Sequence, residues 1–166
     1  MEAQRIAQET ASEVHKVYVT ACDLHRAGHL VQAEQLYRTV LSVNPQHADA
    51  LHMLGLIASA NGLFEQSAAL IGEAIAVNGR SAPYFFNLGV AQQRLDQLNE
   101  AAASYRRALA LQPDLLAAHE NLGVALQGLG DPSGAETAYR AALSLKRSSA
   151  IANANLGTLL LEHGDA

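Results

Sequence analysis

The sequence has little of several things, and each shortage excludes something. Its 166 residues hold one cysteine, Cys22, so no disulfide can form within the chain. A lone thiol fits a reducing compartment, and the cytoplasm is the expected location. Tryptophan is absent and prolines number only four. With alanine and leucine dominant, this composition favours closely packed helices over sheets. No apolar run approaches the ~20 residues that a membrane span requires. Met1 to Thr10 include Glu2, Gln4, Arg5, Gln8 and Glu9 and lack the apolar core of a secretory leader. The net charge is −5 with basic residues scattered, so the electrostatic footprint of a nucleic-acid binder is missing. Neither nucleic acid nor a membrane is an expected partner. Apolar residues nevertheless reach 49%, too many for a disordered chain.

What is present is a repeat. Phe86-Asn87-Leu88-Gly89, Glu120-Asn121-Leu122-Gly123 and Ala154-Asn155-Leu156-Gly157 are spaced by 34 residues. One step back lies Met53-Leu54-Gly55, and another reaches the degenerate Val19-Thr20-Ala21. The second half of the unit stays in phase. Small residues recur at Ala33, Ser67, Ala101 and Ala135, then Tyr37, Ile71, Tyr105 and Tyr139, then Val40, Ala74, Ala108 and Ala142. Pro45 and Pro113 match each other two units apart, with Gly79 between them and Arg147 beyond.

A fixed period of this length means stacked supersecondary units, because one unit cannot bury its apolar faces alone. Each unit reads as two antiparallel helices. First helices are expected near 14–27, 48–61, 82–95, 116–129 and 150–163, and second helices near 30–43, 64–77, 98–111 and 132–145. Gly28, Gly62, Asp96 and Gly130 mark the turns between them, where a residue able to leave helical geometry is useful. Asp131 can cap a helix that Pro132 begins. The Leu-Gly glycine and the later small residue let two backbones approach, and the tyrosine fills the space beside them. Residues 1–13 form an N-terminal helical extension, in which Ile6 leads a stripe continued by Val14, Val17, Ala21 and Leu24.

These positions resemble the tetratricopeptide repeat, with units starting near 14, 48, 82, 116 and 150 over residues 14–166. The resemblance implies an all-α solenoid of about four and a half units in a right-handed superhelix. It also implies a binding scaffold, not an enzyme, that takes a protein or extended peptide on the concave face lined by first helices. Carried onto this chain, the contact residues are Tyr18, His52, Met53, Leu56, Phe86, Val90, Arg94 and Val124, beside the amides Asn87, Asn121 and Asn155. Glu120, Gln93 and Gln127 fall on the same face. An amide offers two donors and an acceptor, so it can pair with both polar groups of a peptide backbone. The three asparagines resemble the ladder in the repeat region of O-linked N-acetylglucosamine transferases and their bacterial relatives. A role as the substrate-binding region of such a transferase is the alternative expectation. The carboxylate clamp of chaperone-binding co-chaperones is not matched: Tyr18 and Cys22, or His52 and Leu56, stand where it needs a cation and an asparagine.

Other residues invite sharper readings that the pattern does not support. His25 and His29 have zinc-chelating spacing, but Gly28 lies between them and no third ligand is in view, so no metal or other cofactor is expected. Cys22 lacks the partners of a catalytic nucleophile. Arg106-Arg107 and Lys146-Arg147 read as solvated charges near the ends of second helices. Gly164-Asp165-Ala166 read as a turn, and the leucines of helix 150–163 lack a following helix. That points to a fragment of a longer protein, or to a homodimer through 150–163.

Overall fold

The computed structural model describes residues 1–163, which are all-helical between turns. Gly164, Asp165 and Ala166 lie outside the described residues, as does the Ile6 side chain. The helices are α1 (Glu2–Arg26), α2 (Leu30–Val43), α3 (Ala48–Ala60), α4 (Phe64–Val77), α5 (Ala82–Arg94), α6 (Leu98–Leu111), α7 (Leu116–Gly128), α8 (Pro132–Leu145) and α9 (Ala150–His163). The second helices α2, α4, α6 and α8 lie where the periodicity places them. The first helices agree to within a residue, except that α1 runs unbroken from Glu2.

The turns explain these limits. Gly28, Gly62 and Gly130 adopt φ of 82°, 77° and 73°, and Asp96 joins them at 59°. Aspartate is one of the few side-chain-bearing residues that tolerates this left-handed region. In all four turns the residue after it donates its N–H to a carbonyl five positions back. The pairs are His29 to Leu24, Leu63 to Ala58, Gln97 to Gln92 and Asp131 to Leu126, each at 2.9 Å. This closure satisfies carbonyls that a helix end would otherwise leave bare. At the opposite ends, the Asp131 carboxylate accepts from Gly134 N at 2.9 Å, and Pro132 opens α8 as expected.

The helices fall into two compact units, residues 1–79 and 80–166. Unit 1 holds α1–α4 and unit 2 holds α5–α9, each as consecutive packed helices. In unit 1 the core gathers Ala21, Ala33, Tyr37, Val40, Leu54 and Ile57, with Val14, Val17 and Leu24 of α1 packed against it. In unit 2 it gathers Tyr105, Leu122, Leu126, Tyr139, Ala142 and Leu159. The three tyrosine rings and Ile71 are fully buried. A buried aromatic removes on the order of 200 Å² from water, so each ring stabilises its unit by several kcal/mol at about 25 cal/mol per Å². Close approach makes room for nothing else. A Cβ added at Gly89 would lie 2.6 Å from the Tyr105 ring, and one at Gly123 would collide with Tyr139. In unit 1, Gly55 faces Ile71 instead.

Candidate recognition face

The first helices carry the candidate contact residues, and the two units present them differently. In unit 1, Tyr18 of α1 is half-buried, its ring 5.9 Å from Tyr37 and 4.7 Å from His47, centroid to centroid. Tyr37 donates its hydroxyl to Cys22 Sγ at 3.5 Å, and the His25 ring meets Tyr37 edge-on at 6.2 Å. Met53 and Leu56 of α3 are half-buried, Met53 packing against the unit 1 core. His52 differs from the sequence expectation. It is only 8% exposed and offers little to a ligand. Burial pushes its imidazole pKa down to about 4 against the opposing pull of the Asp49 carboxylate. The position carries Tyr18 and Phe86 in neighbouring repeats, so the repeat treats it as a packing site and the neutral imidazole serves there.

In unit 2 the face is built from α5, α7 and α9. Phe86 sits half-buried with its ring 5.9 Å from Tyr105, and Val90 and Val124 pack partly exposed against the same core. Tyr105 donates its hydroxyl to Gln93 Oε1 at 2.7 Å, and its side chain is hydrogen-bonded to Asn121. Tyr139 repeats the arrangement one repeat later, donating to Gln127 Oε1 at 3.1 Å and hydrogen-bonded to Asn155. Burial raises both phenol pKa values, opposed in each case by the asparagine bond. Such an opposing bond is one that the amide donates to the phenol oxygen. Asn87, Asn121 and Asn155 are all half-buried and all belong to unit 2, while Arg94 is exposed at the end of α5.

The sequence assigned the tyrosines to packing and the glutamines to the open face, and did not join them. The signal was available: Gln, then Tyr twelve residues on, then Asn sixteen further, occurs from 93 and again from 127. Glu120 is a second departure. It is buried, accepting from the Ser149 hydroxyl, which itself accepts from Ala152 N at 3.1 Å. This residue fastens α7 to the start of α9 instead of facing outward. Arg106 and Arg107 are exposed just before the last turn of α6, as expected of solvated charges, and the Arg107 guanidinium lies 5.6 Å over the Phe85 ring.

His25 and His29 stand on opposite sides of the left-handed Gly28, so no continuous helix holds them at chelating spacing. No three His, Cys, Asp or Glu side chains gather into a metal-holding group among the described residues. No helix among them is long and apolar enough to cross a membrane. On α9, Leu159 is buried, whereas Leu161 is 81% exposed and a Cβ added at Gly157 would meet nothing.

Comparison with known proteins agrees with the fold. The tetratricopeptide repeat family profile matches residues 18–84 and 120–166, and a second TPR repeat profile matches 95–130. The solved structure of YrrB, described as a TPR protein with an unusual peptide-binding site, superposes with a TM-score of 0.85. It is 18% identical, over 98% of this chain and 84% of that one. A MamA crystal structure gives 0.84 at 23% identity, over 92% and 84% of the two chains. An O-GlcNAc transferase from Thermobaculum terrenum is 29% identical over 81% of this chain, with a TM-score of 0.74. This chain spans only 26% of that enzyme. A search of curated proteins finds no match.

Proposed function

The chain belongs to the tetratricopeptide repeat family, and from that premise we propose that it is a scaffold whose first-helix faces take an extended segment of a partner protein. The observation that carries this reading is the set of half-buried amides on unit 2. Asn87, Asn121 and Asn155 share one face with Phe86, Val90 and Val124. Amides among apolar surface suit a ligand whose backbone is polar and whose side chains are small or apolar. Tyr18, Met53 and Leu56 would supply apolar contacts on unit 1, and exposed Arg94 a charge on unit 2. The lone thiol suits work in the cytoplasm.

The test is a peptide-display selection on the whole chain, followed by affinity measurement on Asn87→Ala/Asn121→Ala/Asn155→Ala. A loss of roughly tenfold or more with unchanged helicity supports the reading, taking about 0.5–1.5 kcal/mol per hydrogen bond. Unchanged affinity rejects it. The 29% identity to the repeat region of a bacterial O-GlcNAc transferase favours a second reading, in which the face presents a protein substrate to a transferase domain. A transferase domain in the reading frame beyond Ala166 would support that. Exposed Ile151, Leu160 and Leu161 favour a self-assembly role for α9. There, mass that rises with concentration, and falls back in Leu161→Glu, is the supporting result.

A further inference from the structure

We propose that Tyr105 and Tyr139 bias the hydrogen-bonding polarity of the unit 2 face, so that each tyrosine holds one amide with its donors free and one with its acceptors free toward a peptide backbone. The inference rests on the peptide-recognition reading above and says how such a ligand is read.

A phenol has one hydrogen. Tyr105 gives it to Gln93 Oε1 and Tyr139 gives it to Gln127 Oε1. Each glutamine has therefore committed one lone pair of its carbonyl inward and keeps both N–H donors to offer. The phenol oxygen, having donated its hydrogen, can only accept. Asn121 and Asn155 must meet it through one N–H of their NH2 groups, which leaves both lone pairs of their carbonyl oxygens and one N–H to offer. The two amides flanking one hydroxyl are thus biased in opposite senses: the glutamine is the richer in free donors and the asparagine the richer in free acceptors. An extended backbone shows the complement, a carbonyl and an N–H. Two such sets, one repeat apart, fix where on the ligand each must fall. Because the hydroxyls lie in the core, they hold the amides before any ligand arrives, which lowers the ordering cost of binding. Gln92, the neighbour of Gln93, is tied inward in the same way, accepting from Ser104 Oγ at 2.6 Å.

Unit 1 is the internal control. Tyr37 gives its hydrogen to Cys22 Sγ, and the positions matching Gln93 and Asn121 are His25 and Met53. No amide pair forms there, so backbone reading of this kind is confined to unit 2.

The experiment uses the full chain and, as probe, the best-enriched dodecapeptide from a random display library, labelled for fluorescence anisotropy. Tyr105→Phe/Tyr139→Phe keeps both rings and removes both hydroxyls, and should weaken binding by about tenfold. The side-chain NH2 resonances of Gln93, Gln127, Asn121 and Asn155, restrained in the wild type, should become averaged in that variant without ligand. Gln93→Glu/Gln127→Glu changes two half-buried side chains and keeps their size. It still accepts from the tyrosines but offers no donor, and should weaken binding as much. Replacing single backbone amides of the probe by esters should cut wild-type affinity at specific positions and lose that position dependence in the tyrosine variant. If both double variants bind like the wild type while the triple asparagine variant binds weakly, the polarity proposal is overturned and peptide recognition stands. If the triple asparagine variant also binds like the wild type, or no peptide is enriched, peptide recognition itself falls and the proposal falls with it.

Discussion

Unit 1 and unit 2 are built from one repeat, yet they solve the same burial problem with different chemistry. Both bury a tyrosine ring completely beside a close helix contact. In unit 2 the hydroxyl at the ring's end is met by two amides, at Tyr105 and again at Tyr139. In unit 1 the Tyr37 hydroxyl meets a thiol, the weakest of the common acceptors. Unit 1 also buries a neutral imidazole at His52 and a hydroxyl at Ser67 that no hydrogen bond reaches. The repeat therefore prescribes shape strictly and polar partners loosely. Function has room to differ where partners do.

The largest expected effect that separates the units is pH dependence. His52 holds a pKa of about 4 when folded against an ordinary 6.5 when unfolded. Between those values the unfolded chain binds a proton that the folded chain refuses. Stability therefore falls as pH drops from about 6.5 towards 4, by up to about 3 kcal/mol. His25, its pKa also lowered by burial, adds in the same direction. Denaturant midpoints across this range should flatten in His52→Phe. An equal slope in that variant would remove His52 as the cause.

Next in size are the glycines. Gly123→Ala drives a methyl into the Tyr139 ring and should destabilise the protein by roughly 2–3 kcal/mol. Gly55→Ala meets the buried Ile71 side chain at 2.6 Å, a smaller group than a tyrosine ring, and should cost about half as much. Equal shifts in thermal midpoint would break the distinction between aromatic and aliphatic backing. Tyr105→Phe should cost about 1–2 kcal/mol, because two half-buried amides lose their partner. Tyr37→Phe should cost less than about 1 kcal/mol, because only a sulfur acceptor is lost. Ser67→Ala should stabilise unit 1 by about 1 kcal/mol, since it removes a fully buried hydroxyl without a partner where Ala101 and Ala135 stand in unit 2. Gly157→Ala is the smallest effect, near zero or stabilising by up to about 1 kcal/mol. Nothing lies within 4 Å of the added methyl, and alanine favours helix.

Much of this molecule was legible before any coordinates. The 34-residue period, the turn residues Gly28, Gly62, Asp96 and Gly130, and the Leu-Gly pairs determined by themselves where helices begin, end and touch. They could do so because helix limits and close approaches depend on local backbone geometry and residue volume, which recur with the repeat. The same pattern misplaces His52 and Glu120, which are buried. A register position says which face a residue occupies, but not whether a neighbouring helix has covered it. Only the tertiary structure joined Gln93 to Tyr105 to Asn121, and turned Glu120 towards Ser149. Those partnerships link residues 12 to 29 positions apart through single polar atoms. Which polar atom meets which is decided by packing across helices, and a periodic pattern of residue types does not encode it.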